Sequence, residues 1–188
     1  MEPVLPKLVE DACRTLQTLA LQEDTFQRIA AAVVTTLKSG GKILTCGNGG
    51  SAADALHLAE ELVGRFRGNR RSLPAVSLAA DATLLTCIGN DYSFDEIFSR
   101  QVEGLASVND LLVCFSTSGN SPNILRAIKA AKTKGVKSVA FLGKGGGKSK
   151  GKADFEILVP SSDTGRVQEA HTLILHALLE VVEREVTA

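Results

Sequence analysis

The chain has 188 residues, enough for one domain with a sizeable core, and its 44% hydrophobic share is ordinary for a globular protein. Lys plus Arg and Asp plus Glu number 21 each, so the formal net charge is zero, which argues against nucleic acid as the main partner. No apolar run approaches the roughly 18–20 residues of a membrane span, and Met1-Glu-Pro-Val-Leu-Pro6 lacks the basic and apolar stretches of a signal peptide; the expectation is a cytoplasmic protein with no membrane partner.

Two helices are predicted first, over Val4–Leu21 and Thr25–Lys38, the second closed by Gly40-Gly41. Strand and helix patterns then alternate. The strands are predicted at Lys42–Cys46, Ala75–Leu78, Leu111–Phe115, Ser138–Leu142 and Phe155–Val159, each a short apolar run without polar alternation, as in strands buried on both faces. Between them the pattern predicts helices over Ala52–Arg65, Thr83–Ile88, Phe94–Leu105 and Pro122–Lys134, and a last helix over Arg166–Val186. This βαβ rhythm implies an α/β fold: a three-layer sandwich around a five-stranded parallel sheet, preceded by two N-terminal helices. Residues 1–188 read as one domain, with 1–41 a helical extension and 42–188 the α/β core. Cys13, Cys46, Cys87 and Cys114 show no CxxC spacing and read as buried thiols of a reducing compartment.

In such sheets ligands bind at the carboxyl ends of strands where the connections switch direction. The first and third strands run directly into Gly47-Asn-Gly-Gly-Ser51 and Ser116-Thr-Ser-Gly-Asn-Ser121, so both loops are candidates for one site. Pro122 suits a first helical turn, which puts Ser121 at the N-cap. The unpaired N–H groups of that turn and four hydroxyls, from Ser116, Thr117, Ser118 and Ser121, read as a phosphate cradle without a cation. The bland alternative is a serine-rich turn that only caps its helix. Two glycine-rich patterns are decoys as nucleotide-binding motifs. Gly47–Ala52 fits G-x-G-x-x-A, but the nearest acidic residue to the second strand, Asp81, comes too late to hold a ribose. Gly143-Lys-Gly-Gly-Gly-Lys-Ser149 lacks the first glycine of a P-loop, where Leu142 stands, and is expected to be a flexible surface loop.

The three histidines of the chain are His57, His171 and His176. His57 and Glu61 share a helix face, as do Gln168 and His176, whereas His171 and His176 lie about 140° apart and cannot both face one ligand. His176 taken alone reads as a core histidine and Glu61 as a solvated residue. Their coincidence with a phosphate cradle favours an enzyme acting on a phosphorylated small molecule.

Together these residues resemble the sugar isomerase (SIS) domain family, and within it the phosphoheptose isomerases. The resembling segments are Cys46–Ala55, then His57, Glu61, Arg65 and Phe66, then Ile88–Tyr92, Phe98–Gln101, Ser116–Asn123, and Val167–Glu169 with His171 and His176. They cover nearly the whole chain in order. The serine loop alone specifies the superfamily; Glu61, Gln168 and His176 point to the heptose enzymes. The resemblance implies a flavodoxin-like sheet and isomerisation of sedoheptulose 7-phosphate to D-glycero-D-manno-heptose 7-phosphate, the first step of nucleotide-activated heptose biosynthesis, through an enediolate. It assigns proton transfer to Glu61 and His176, the phosphate to Ser116, Thr117, Ser118 and Ser121, and further substrate contacts to Asn48, Gly49, Gly50, Ser51, Glu61, Asn90, Asp91 and Gln168. Some members bind zinc, which assigns one Zn2+ per subunit to His57, Glu61, Gln168 and His176, although glutamine is an uncommon zinc ligand. A carboxylate on zinc is a weakened base, so Glu61 cannot be tight ligand and free base at once. The resemblance also implies a homotetramer with active sites between subunits, packed through residues 1–41. A non-catalytic branch of the superfamily regulates by binding a sugar phosphate and a protein such as the replication initiator. That branch lacks the histidine matching His176 and differs around Glu61, so the presence of both here favours an enzyme. Sugar-sensing transcription regulators carry a DNA-binding region, and no helix-turn-helix is evident in residues 1–41.

Overall fold

The computed structural model describes residues 3–186; residues 1, 2, 187 and 188 of the expected domain lie outside the described residues. Among the described residues the chain runs α1 (Val4–Leu19), α2 (Glu23–Lys38), β1 (Ile43–Cys46), α3 (Gly50–Val63), β2 (Ala75–Ser77) and α4 (Ala82–Asp91). It continues with α5 (Ser99–Leu105), β3 (Leu111–Ser116), α6 (Pro122–Thr133), β4 (Lys137–Leu142), β5 (Phe155–Leu158) and α7 (Thr164–Val186). Two expected helices are interrupted. The first ends at Leu19 and passes through a 3₁₀ turn, Ala20–Gln22, into α2. The one expected over Phe94–Leu105 splits into a 3₁₀ turn, Phe94–Glu96, and α5, where the Ser99 hydroxyl bonds back to the Glu96 carbonyl and carboxylate and competes with regular helix.

All four strand pairings are parallel, in the order β2-β1-β3-β4-β5. From β1 the chain moves to one edge, and from β3 it moves to the other. The switch point therefore lies between the carboxyl ends of β1 and β3, where a crevice must open. Side chains alternate across β3: Leu111, Val113 and Phe115 enter a core shared with α2, α3 and α7, while Leu112 and Cys114 enter one shared with α5 and α6. These two cores are the two interfaces of a three-layer sandwich. Burying each large aliphatic or aromatic side chain there contributes roughly 1.5–3 kcal/mol before entropy is counted. Burial on both faces holds for the inner strands β1 and β3, whereas the edge strands β2 and β5 are only partly covered.

The four thiols do not share one environment, contrary to the expectation from sequence. Cys46 and Cys114 are buried register partners with sulfurs 3.5 Å apart, but Cys13 and Cys87 are exposed. Cys13 lies on α1, most of which is exposed, and the Cys87 thiol on α4 donates to the Asp91 carboxylate at 3.5 Å, so apolar neighbours in sequence misjudge the depth of both. The hydrogen bond to Cys114 and burial push the Cys46 thiol up. Among the described residues no helix is long and apolar enough to cross a membrane. The first helix leaves Val4, Leu5, Leu8 and Val9 exposed along one side.

Candidate active site

The loops that follow β1 and β3 meet at the switch point. Asn48 and Asn123 exchange a pair of side-chain hydrogen bonds, each 2.9 Å, which ties the first loop to the opening turn of α6. Between the loops lies a cleft of about 90 Å³ lined by Asn48, Ser51, Phe115, Ser116, Thr117, Ser118 and Ser121. The amide N–H of Gly119 donates to the Ser116 hydroxyl and that of Asn120 to the Ser118 hydroxyl, at 3.1 and 3.2 Å, which shapes the loop and leaves each hydroxyl a proton to donate. Ser121 occupies the N-cap of α6 in extended conformation and makes no side-chain capping bond. A turn that served only to cap its helix would use that hydroxyl. Pro122 has no N–H and the Ile124 and Leu125 amides donate to the Ser121 carbonyl at 3.2 Å, so the Asn123 amide and the Ser121 side chain are what this helix start offers an anion.

The glycine- and lysine-rich segment after β4 is not the flexible surface loop that its composition suggests. It turns sharply through Gly145, Gly146 and Gly147, at φ of 75°, 89° and 52°, and packs against the serine loop. The Ser149 N–H donates to the Gly119 carbonyl at 2.9 Å, and the Lys148 N–H to Asn120 Oδ1 at 3.1 Å. The approach is so close that a Cβ on Gly119 would lie 1.9 Å from the Gly146 oxygen, and one on Gly147 would lie 2.4 Å from the Ser118 oxygen. These glycines are required by a neighbour more than twenty residues away, and no local pattern reveals that. Asp81, the acidic residue nearest the end of β2, caps α4 by accepting the N–H groups of Thr83 and Leu84.

A second cluster forms where α3 lies against α7. His57 Nε2 is 3.4 Å from Glu61 Oε1, and the rings of His57 and His176 meet edge to face at 5.0 Å. Phe66, just past α3, stacks on His176 at 5.6 Å with 24° between the planes. His57, Glu60 and Glu61 offer ligand atoms that all lie within 4.8 Å of one another, a group able to hold a metal ion. Spacing alone had singled out neither Glu60 nor Phe66. The signal for Glu60 was its i+3 relation to His57; Phe66 lies beyond the helix, and only the tertiary fold aims it. Gln168 stands elsewhere. Its amide packs over Gly50, where a Cβ would come within 2.0 Å of Nε2, and His176 is eight residues further on, roughly 12 Å along the helix. The structure thus joins His57, Glu61 and His176 but leaves Gln168 at the cradle end of α7. Asn90 and Asp91 close α4, exposed and bonded to each other at 2.8 Å, and neither lines the cleft.

Glu61 and His176 do not line the cleft either. Ser51 and Glu61 lie at opposite ends of α3, ten residues apart, roughly 15 Å along the axis. His171 points the other way from His176, as the 140° separation requires. It is fully buried between Phe115 and Phe141, with ring centroids 5.7 and 6.3 Å away, and burial lowers its pKa to about 4. The core histidine of α7 is therefore His171. Asp54 links the two helices by accepting the Thr172 hydroxyl at 3.0 Å; burial outweighs that bond and the nearby His57, so its carboxyl is raised.

Residues 9–143 match the SIS domain family. The chain is 52% identical over 169 residues to the phosphoheptose isomerase of Citrifermentans bemidjiense, covering 88% of each chain. The phosphoheptose isomerase structure from Francisella tularensis superposes with a TM-score of 0.92 at 34% identity over 96% of both chains. The one from Neisseria gonorrhoeae gives 0.89 at 39% identity over 96% of this chain and 97% of that chain.

Proposed function

The chain belongs to the SIS-domain family, among its phosphoheptose isomerases, and on that premise we propose that it interconverts sedoheptulose 7-phosphate and D-glycero-D-manno-heptose 7-phosphate. Relatives at about half identity over most of the chain make it an isomerase of sugar phosphates in heptose biosynthesis. The observation that carries the finer reading is the cluster of His57, Glu61 and His176, a carboxylate and two imidazoles on the two helices that also flank the cradle.

The reaction moves a proton between C1 and C2 through an enediolate, which needs a base at carbon and a group that exchanges protons with the oxygens. Glu61 is the base and His176 serves the oxygens. Ser116, Thr117, Ser118 and Ser121 with the Asn123 amide hold the phosphate, and Asn48, Gly49, Gly50, Ser51 and Gln168 take the sugar. Three or four hydrogen bonds to a charged group, each worth roughly 1.5–3 kcal/mol, suffice without a cation in the cradle. The nitrogen and carboxylate donors of His57, Glu60, Glu61 and His176 suit zinc. When bound it would supply Lewis-acid polarisation of the substrate oxygens.

The distance from Ser51 to Glu61 exceeds the roughly 10 Å between phosphorus and the reacting carbons of an extended heptose phosphate. This supports a homotetramer with active sites between subunits, where one protomer's cradle meets another's Glu61 and His176. In it, Asn90 and Asp91 reach a neighbour's substrate, and residues 1–41 pack the α/β cores of 42–188 together. The uncovered apolar residues Val4, Leu5, Leu8 and Val9 favour that packing. Exposed free thiols at Cys13 and Cys87 fit a cytoplasmic location.

The test is turnover of sedoheptulose 7-phosphate by purified wild type and Glu61→Gln, in chelated and zinc-supplemented samples. Conversion by wild type and a loss of about 100-fold or more in the variant are expected. Folded wild-type protein that binds the sugar phosphate but converts none would replace this reading with the non-catalytic regulator.

A further inference from the structure

Past the last turn of α3 the chain makes a loop, Gly64–Arg71, whose shape is dictated by one carboxylate on another helix. Glu183 lies seven residues beyond His176 on α7, two turns along the same face. Its Oε1 accepts the N–H groups of Phe66 and Arg67 at 3.2 and 3.1 Å, and its Oε2 accepts that of Gly68 at 3.1 Å. Three successive amides thus wrap one side chain. Burial alone would raise the Glu183 carboxyl; the amides of Gly68, Arg67 and Phe66 and the Arg70 guanidinium outweigh it and hold it below the usual carboxylate range.

Arg70, whose side chain is only 2% exposed, completes the arrangement. Its Nε donates to Glu183 at 3.3 Å, and its two terminal nitrogens donate to the carbonyls of Leu62, Arg71 and Glu61 at 2.9, 3.0 and 2.6 Å. Two of these carbonyls belong to the last turn of α3, where helix geometry leaves acceptors unpaired. The same cation thereby fixes the turn that carries Glu61. The amides held by Glu183 fix the backbone of Phe66, whose ring forms the stacked wall of His176. A guanidinium with four of its five N–H donors used, paired with a carboxylate holding three amides, is more than a surface ion pair needs.

We propose that Glu183 and Arg70 are positioning residues of the isomerase, holding His176 through Phe66 and Glu61 through the last turn of α3. This rests on the isomerase reading for its kinetic consequence, but the positioning itself is measurable without turnover.

The variants are Glu183→Gln, Phe66→Leu, the double variant, and Arg70→Lys. Each is assayed for kcat and KM on sedoheptulose 7-phosphate, and by imidazole NMR, where the three histidines give separable signals. Glu183→Gln is expected to lower kcat about 10- to 100-fold with KM within about 3-fold, since misplacing a reacting group by an ångström can cost that much. The His176 ring signals should shift as the Phe66 ring moves, while those of His171, in the core, stay put. The kcat loss from Glu183→Gln should shrink to about 3-fold or less in the Phe66→Leu background, because the two act along one route. Should Glu183→Gln fail to fold, seen as loss of the His171 signals, Arg70→Lys carries the test with the same expected His176 shift, since lysine cannot span two carbonyls and a carboxylate. Unshifted His176 signals in a folded variant would overturn the proposal, as would an equal kcat loss with and without Phe66. If wild type proves inactive, the isomerase reading fails, and the NMR comparison still decides whether Glu183 places His176.

Discussion

His171 makes the stability of this protein sensitive to mild acid, and replacing it with leucine should remove that sensitivity. The imidazole is fully buried between two phenylalanine rings, and neither ring nitrogen has a hydrogen-bond partner among the described residues. Burial holds its pKa at about 4, against about 6.5 in an unfolded chain. Between those values the unfolded state binds a proton that the folded state refuses, so unfolding becomes easier as pH falls. The full stability is present above about pH 6.5, declines through the window, and is lost by about pH 4. The gap of about 2.5 pH units is worth about 3 kcal/mol at roughly 1.4 kcal/mol per unit. Leucine has nearly the volume of histidine and no nitrogens to leave unpaired, so His171→Leu should be at least as stable as wild type at pH 7. The assay is urea unfolding of both proteins at one fixed concentration, because subunit association would make the midpoint concentration-dependent. The advantage of the variant should grow by about 3 kcal/mol from pH 7 to pH 4. A difference that stays constant across that range would refute the reasoning, since it would mean that the buried imidazole takes up its proton as readily as a solvated one.

Ser118→Ala should raise KM for the sugar phosphate about 10-fold or more while changing kcat less, because a phosphate contact stabilises ground and transition states alike; a fall in kcat alone would contradict the cradle. Gly147→Ala places a methyl 2.4 Å from the Ser118 oxygen at a φ of +52°, and should raise KM about 10-fold, whereas Gly145→Ala, at a φ of +75° but with nothing within 4 Å of its methyl, carries the backbone strain without the clash and should raise KM less. Equal effects at the two glycines would show that the turn does not shape the phosphate loop. Sharing of sites between subunits is tested by co-expressing Ser118→Asp and Glu61→Gln, each inactive alone. Random mixing should restore activity at about one quarter of sites if cradle and base come from different protomers, and at none if they come from the same one.

What the sequence made legible is what local pattern encodes. Short apolar runs gave the strands because the side chains of a sheet covered by helices are apolar on both faces. The two switch-point loops could be named because glycine, serine and proline act on the backbone next to them. Helical spacing separated His171 from His176, and the structure turns them to opposite sides of α7, one into the core and one toward α3. The failures share a different cause. Gly143–Ser149 read as mobile because four glycines and two lysines carry no local structural demand; their requirement is imposed by Gly119 and Asn120 in another loop. Gln168 is not among them: spacing gives its angle on α7 but not its distance from His176, and its amide packs over Gly50 at the cradle end, which a site shared between subunits would bring to a neighbour's Glu61 and His176. Glu183 and Arg70 were invisible for the same reason as Gly143–Ser149, since each earns its place only where α7 crosses the loop after α3. The groups proposed for the chemistry were thus readable one by one, but their orientation depends on contacts more than a hundred residues apart in the chain. Any test of this site that changes only Glu61 or His176 probes the chemistry; changing Phe66, Arg70 or Glu183 probes the geometry that makes the chemistry possible.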